Sequence, residues 1–536
     1  MSGDWDVVVV GGGNNGLTTG AYLARAGLRV IVLERNEIVG GGAMTEPFPG
    51  APGYFHNTHA QLMMWIRNGP VYSDLELDKH GLELVALDPQ MAMVYREGPP
   101  LCIYKDVDRT CESIAAFSKQ DAQTYKDLAE SAIAESPLSL ISFYNVAAPP
   151  STAPLVLEGS REGLEYLRQL TTSPERMVDD YFESEQLKSL LLANLPQGGS
   201  TTNRMGMANM TFLVIGLCHL WGMHCAVGGT NSVAKALINV IESNSGRVLN
   251  NTHVDQILVE GGRAVGARLA NGEEVRAGRA VVCGAGHWQA VDHLVPREQW
   301  GSDPDSVAFV HGVDRFRIDD AALFTTHLAL SEPPQWIGSE HNPDVNRTLA
   351  VYWGTDDTPE LKRQMWDVTE HAVPTVHGGL ACTHSVADPS INPSGGHSTF
   401  TWLPTAYEVD DDPSHWDALR EEVGQALLRR WQSYAPNLSG DNVVATVHYT
   451  PLDLERRTIS MKGGSMMMGD HSPDQMGMFR PVPGWAHYRT PIESLYVSAA
   501  SCHPFAGVNG APGRNAAEVI VSDLGVDRWW PEYSSL

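Results

Sequence analysis

Gly11-x-Gly13-x-x-Gly16, followed by Glu34, is the pattern in this sequence that speaks most directly of chemistry. Gly11 permits a tight turn, Gly13 lets backbone approach a pyrophosphate, and Gly16 lets a helix pack closely on a strand. A helix opening at Asn14 would turn free N–H groups and a positive dipole end toward the phosphates. Glu34, 18 residues beyond Gly16, is placed to accept ribose hydroxyls and disfavours a 2′-phosphate, and Arg35 stands beside it. A second close approach of backbone is offered by Gly40-Gly41-Gly42-Ala43, and no second GxGxxG exists in the chain. An elongated FAD, rather than NAD on a domain of its own, is therefore expected. The competing reading is a Gly-rich turn in an empty Rossmann-like domain.

Histidines and methionines are the other candidates. His56 and His59 form an HxxH in GYFHNTHAQLMMW. A metal needs more ligands than these two, so no metal is expected; they either line a substrate cavity or form a hydrogen-bonded structural pair. His219 and His224 lie in an apolar run and read as satisfied core histidines. Met461, Met466, Met467, Met468, Met476 and Met478 make a Met-rich segment, and Met is an adaptable lining for apolar pockets as well as a core filler. No Gly-x-Ser-x-Gly falls in a strand–turn–helix context, which leaves a nucleophilic hydrolase without support.

The elements that must position these residues are legible in outline. WDVVVV reads as a strand buried on both faces, LTTGAYLARAG as a helix with Gly27 at its end, and LRVIVLE as a second strand. Residues 228–284 give a helix over Val233–Ser243 and strands punctuated by Gly261–Gly262 and Asn271–Gly272. LYVSAAS, a Gly-rich loop and NAAEVIVSDLG make another strand, loop and helix. Ala147–Pro154 reads as a loop, and an amphipathic helix should follow Asp410–Pro413 as far as about Tyr434. The fold class is α/β: a Rossmann-like FAD-binding domain built from three separated segments (1–60, 226–300 and 485–536), plus an α+β substrate domain formed by two inserts (61–225 and 301–484).

Composition narrows the class. The 536 residues are 43% hydrophobic and 19% charged, which are globular proportions. A net charge of −27 repels phosphate backbones, so nucleic acid is not expected as a partner. Seven Cys with no CxxC fit a reducing compartment. The acidic start (Asp4, Asp6) with the short run Val7–Val10 is unlike a signal peptide, and the longest apolar stretch, Phe212–Val227, carries two histidines. A cytoplasmic protein is expected, with peripheral membrane contact left open along the uncharged Leu138–Leu157.

Three stretches together resemble the phytoene desaturase-like (carotenoid desaturase-like) flavoproteins. They are DVVVVGGGNNGLTTGAYLARAGLRVIVLERNEIVGGGAMTE, then GGTNSVAKAL with NNTHVDQILVEGGRAVGARLANGEEVRAGRAVVCGAG, then RPVPGWAHYRTPIESLYVSAASCHPFAGVNGAPGRNAAEVI. Within that family they are most similar to the pyridine nucleotide-disulfide oxidoreductase domain-containing subgroup. The resemblance implies noncovalent FAD, with Gly11, Gly13 and Gly16 facing the pyrophosphate, Glu34 on the adenosine ribose, Gly40 and Gly41 flanking the phosphates, and Val254 offering backbone to the adenine. The loop His503–Gly513, including Gly507, Val508, Gly510 and Ala511, would close over the isoalloxazine ring, with a helix from Arg514 pointing its N-terminus at it. His503 is then the candidate catalytic base, or a support for that loop. Phe505 and Ala506 stand where a more Gly-rich run is the pattern, narrowing the space above the ring and pointing away from a long polyene.

The expected activity is an FAD-dependent oxidoreductase, a dehydrogenase or desaturase, taking hydride from an activated C–H of an apolar terpenoid, steroid-like or aromatic substrate and passing electrons to oxygen or a quinone. His56, His59, Met467 and Phe505 are the candidate pocket residues. A flavin-containing isomerase or hydratase without net redox, and a non-catalytic binding protein on the same fold, are the alternatives.

Overall fold

The computed structural model describes residues 5–534, so Asp4 lies outside the described residues. Strand β1 (Trp5–Val10) is central because its four valines, Val7–Val10, are buried on both faces; full burial of each is worth about 1.5–3 kcal/mol. It pairs in parallel with β2 (Val30–Leu33) on one side and with Glu274–Cys283 on the other. Arg247–Leu249 and Leu495–Val497 extend the parallel ladder outward, and Val254–Glu260 and Arg263–Leu269 add antiparallel strands to complete seven. One sheet thus draws strands from three distant stretches of chain.

Helix α1 (Asn14–Arg25) lies on this sheet at unusually short range. A Cβ on Gly16 would stand 2.4 Å from the Gly11 carbonyl oxygen, and one on Gly284 would stand 2.9 Å from the same atom. Gly11 itself has φ +103°, a backbone state that a side chain disfavours. Helix and sheet therefore touch backbone to backbone at the point where β1 ends. The helices Asn231–Ser243 and Ala511–Leu524 flank α1.

A second seven-stranded sheet is mixed and mainly antiparallel. Its order is Val443–Tyr449, Ala322–Leu330, His397–Thr405, Gly379–Thr383, Ala350–Trp353, Met91–Met93 and Leu101–Ile103. The helix His415–Gln432, as the sequence pattern predicts, covers it, with Trp431 stacked on Trp353 at 5.8 Å. Two expectations need correction. Thr152–Leu157 is helical, so the proposed loop Ala147–Pro154 ends early; the prolines that suggested a loop precede or open that turn of helix. The last helix starts at Ala511 rather than Arg514, because Gly510 (φ +66°) already makes the turn and Pro512 sits in its first turn. Among the described residues, no helix is long and apolar enough to cross a membrane.

Gly16→Ala should overpack the α1 crossing. A loss of about 1–3 kcal/mol is expected, read as a melting temperature several degrees below wild type. An unchanged melting temperature would mean that the helix can move off the sheet without penalty.

Candidate functional site

Where β1, β2 and Glu274–Cys283 end, a cavity of about 540 Å³ opens. Gly11, Gly13, Glu34, Arg35, Gly41 and Val254 line it, all of them residues singled out by the sequence. Gly13 has the extended backbone of a helix N-cap, and a Cβ there would meet nothing nearer than Gly41 Cα at 4.0 Å. The N-terminus of α1 carries no side-chain cap and no acidic residue in its first turn, so its N–H groups are left for an anion. Across the gap, Gly40 forms a bridge with Gly13 and Gly41 abuts it, closing a backbone cradle. Glu34 is buried, and its carboxylate accepts from Gly12 N (2.7 Å) and Asn36 N (2.9 Å). Each oxygen keeps a lone pair for a ribose hydroxyl. Arg35 donates to the Arg457 carbonyl (3.1 Å), tying the cavity rim to Thr458–Ser460.

Other expected residues stand back from this cavity. Gly16 serves the helix–sheet contact rather than facing the phosphates, because Gly11 O fills the space beside it. Asn14 contributes an Oδ1 that is buried without a partner, as does Asn15. Gly42, Ala43, Gly507, Val508, Gly510 and Ala511 do not line it. The Ala511 N–H is already taken by Asn509 Oδ1 (2.8 Å). Arg514 and Asn515 do not face the cavity either. Arg514 pairs with Asp74 (3.1 Å) and donates to the Tyr144 carbonyl, and Asn515 donates to the Phe143 and Asn145 carbonyls. Lining residues that the sequence reading missed are Gly284, Ala285, Gln289, Asp292, His293 and Thr458–Ser460. Gly284-Ala285-Gly286 repeats the β1 signal, a buried apolar strand that ends in glycines.

The loop from His503 to Gly510 is packed against the C-terminal end of the helix Lys119–Phe143. His503 is buried and its Nε2 donates to the Ser142 carbonyl (2.9 Å), leaving Nδ1 as an unpartnered acceptor. Burial brings its pKa down to about 4, against the opposing pull of the Ser142 carbonyl. Phe505 meets Phe143 (4.8 Å), Trp65 (5.6 Å) and His471 (5.6 Å), an aromatic wall from which water is excluded. Behind it, Arg480 is fully buried and donates to the carbonyls of Asp470 (3.0 Å), Ala500 (3.0 Å) and Cys502 (3.2 Å). Asp319 accepts from Ser465 Oγ, Met467 N and Gly469 N. The Met-rich segment is thereby pinned by its backbone to the turn before His503, with Met467 packed on the core.

His56 and His59 do not bond each other. His56 Nδ1 shares a hydrogen bond with His327 Nδ1 (3.0 Å), while both nitrogens of His59 are buried without partners. Neither belongs to a group with metal-ligand geometry; among the described residues that geometry is found at His371, Glu408 and Asp411, none of them in the cavity wall. His219 is satisfied by Tyr125 OH and the Lys105 carbonyl, as expected of a core histidine, whereas His224 Nδ1 has no partner.

Burial holds His56, His59, His287 and His471 neutral, each with a pKa down to about 3, as it does His503. Their folded-state values lie below the unfolded value of about 6.5. The stability they contribute is complete above that pH and is lost as pH falls toward 3–4. Asp319, raised by burial to about 6, works in the opposite direction and gains as it protonates. Five rings outweigh one carboxyl. The melting temperature should be level above about pH 7 and fall steadily below about 6.5; a level profile down to pH 4.5 would show that these rings reach solvent on protonation.

Residues 16–308 match the family model described as flavin containing amine oxidoreductase. A limonene dehydrogenase polypeptide from Castellaniella defragrans is 26% identical over 98% of this chain and 96% of its own length. Pyridine nucleotide-disulfide oxidoreductase domain-containing protein 2 from Rattus norvegicus is 29% identical over 97% and 94%. Phytoene desaturase (neurosporene-forming) from Cereibacter sphaeroides is 27% identical over 60% and 57%, in line with the resemblance read from the three motifs. A solved oxidoreductase from Methanosarcina mazei shares the fold, with a TM-score of 0.62 at 17% identity over 97% of this chain and 99% of that one. The chain belongs to the flavin containing amine oxidoreductase family, whose members are enzymes of the oxidoreductase class.

Proposed function

We propose that the chain is an FAD-dependent dehydrogenase of apolar substrates, with 1–60, 226–300 and 485–536 holding the cofactor and the two inserts holding the substrate. The observation that carries this reading is the cavity at the strand ends, where an uncapped helix N-terminus, the Gly13–Gly41 cradle and the Glu34 carboxylate stand in the order diphosphate, diphosphate, ribose. Orphaned buried atoms at Asn14, Asn15, His59 and His503 fit a polar group inserted beside them. Bound FAD would supply the hydride acceptor. The chain's part is placement: Glu34 and the first turn of α1 hold the adenosine diphosphate half, Arg480 and Ser142 fix the His503 loop, and Phe505, Trp65 and Phe143 keep water away. His503 is assigned to loop support, since its N–H is spent on Ser142; Nδ1 is the atom through which it could take a proton.

The aromatic wall and the Met-rich segment support an apolar substrate with an allylic, benzylic or heteroatom-adjacent C–H, where developing positive charge delocalises. The relative named limonene dehydrogenase, which matches from end to end, favours a terpenoid hydrocarbon over a polar metabolite. Oxygen or a quinone is the proposed acceptor. Anaerobic mixing of the yellow protein with cyclic terpenoids, steroids, aromatics and amines tests this: one of the hydrocarbon classes should bleach the flavin. Bleaching by amines alone would replace the substrate class, and a colourless wild-type protein that takes up no FAD would sink the reading. Gly13→Val, whose Cβ points into open cavity without backbone strain, should fold normally and lose at least 100-fold in FAD affinity.

A further inference from the structure

Most buried histidines here have a protein partner. His56 has His327, His219 has Tyr125 and Lys105, His287 has Ser501, and His503 has Ser142. His59 is the exception that is buried with both ring nitrogens unpartnered; its residue is 2% exposed. Its backbone neighbours say where it stands. Thr58 N donates to the Met44 carbonyl (3.3 Å) and Ala60 N to the Gly42 carbonyl (3.1 Å), so His59 is laced to the strip that continues the Gly40–Gly41 cradle. A few residues later, Trp65 meets Phe505 and lies 3.6 Å from where a Cβ on Gly507 would be. Segment 58–65 thus runs from the cradle to the closing loop. With the adenosine half in the cavity and the diphosphate at Gly13 and Gly41, the other half of an extended FAD has to pass along this segment.

We infer that His59 is a cofactor-contacting residue whose neutral ring hydrogen-bonds the polar edge of the flavin ring at the seam between Gly42 and the closing loop. The inference rests on the FAD reading above. A neutral imidazole offers one N–H donor and one acceptor. The pyrimidine edge of a flavin offers carbonyl acceptors beside an N–H, which is the complement. Burial, then the charge of Arg457 and then His56, keep the ring uncharged at any working pH, so the pairing does not depend on a proton from solvent. A ring without a bonding role would be the natural place for a leucine.

The test uses full-length protein as wild type, His59→Leu and His59→Gln. His59→Leu should bind FAD ten- to 100-fold more weakly, shift the visible bands of the bound cofactor, and lower its midpoint potential, because the reduced ring loses a donor. His59→Gln keeps one donor and one acceptor and should recover much of all three. Wild-type affinity, spectrum and potential in a folded His59→Leu protein would overturn the assignment, and a loss confined to substrate affinity would overturn it in favour of a substrate contact. A measurement on the wild type is independent of folding in the variants: in histidine-labelled protein, the ring signal missing from His59→Gln should move on FAD binding, and a signal indifferent to FAD also overturns the inference. Failure of the wild type to bind FAD at all is a failure of the proposed function, whereas a yellow wild type with an unaltered His59→Leu protein is a failure of this inference alone.

Discussion

The Gly11 carbonyl oxygen lies 2.4 Å from where a Cβ on Gly16 would stand and 2.9 Å from where one on Gly284 would stand. Nothing larger than hydrogen fits at either place, so β1, α1 and the strand Glu274–Cys283 are drawn together backbone to backbone. That crossing decides where the α1 N-terminus points. It also puts the ends of β1 and β2 side by side, which is why Glu34 comes within hydrogen-bond reach of Gly12 N. The cavity is what remains when three strands stop at one level and a helix begins there. Its chemistry follows from geometry that the glycines impose.

A second constraint ties the two sheets to one another. Asn57 accepts from Thr45 Oγ1 (2.6 Å) and Thr230 N (3.1 Å) and donates toward Gln61 and His384. His384 continues to Asp388 (3.3 Å), which accepts from Gly228 N. Asn57, Gln61, His384 and Asp388 are all buried, so a gap among them would leave a desolvated polar group at about 1–3 kcal/mol. The network joins the hairpin at Thr45 and Asn57, the turn before Asn231–Ser243, and the second sheet at His384. Arg480 does for the C-terminal loop what Asn57 does here: it is a buried hub whose donors end on carbonyls from two different stretches of chain.

The part of the site made by local pattern was readable from sequence. Gly11–Gly16 and Glu34 announce a strand–turn–helix with its acid, because each role is set by residues close along the chain. Gly284-Ala285 carried the same signal at a strand end and was passed over for want of a GxGxxG frame. Thr458–Ser460 and Asp292 had no signal, since their place in the wall is settled by tertiary packing. The histidines divide in the same way. HxxH suggested that His56 and His59 share a task, yet the strand Phe55–Asn57 turns His56 toward His327, 271 residues away, while His59 belongs to the next loop. Arg514 and Asn515, motif residues beside the closing loop, proved to brace the end of a helix that lies some 370 residues earlier.

Thr19 Oγ1 and Ser498 Oγ lie 2.7 Å apart across 479 residues of sequence, and Leu495–Val497 completes the sheet beside Val281–Cys283. During synthesis the strand Glu274–Cys283 must therefore wait with one edge unpaired while more than 200 further residues emerge. An apolar, parallel edge exposed for that long is a template for pairing with other chains. Ligand added during translation has no finished pocket to bind, because the element that closes it arrives last. Loading must follow release from the ribosome, and the yield of active protein in a cell will depend more on holding that edge apart from its neighbours than on the supply of cofactor.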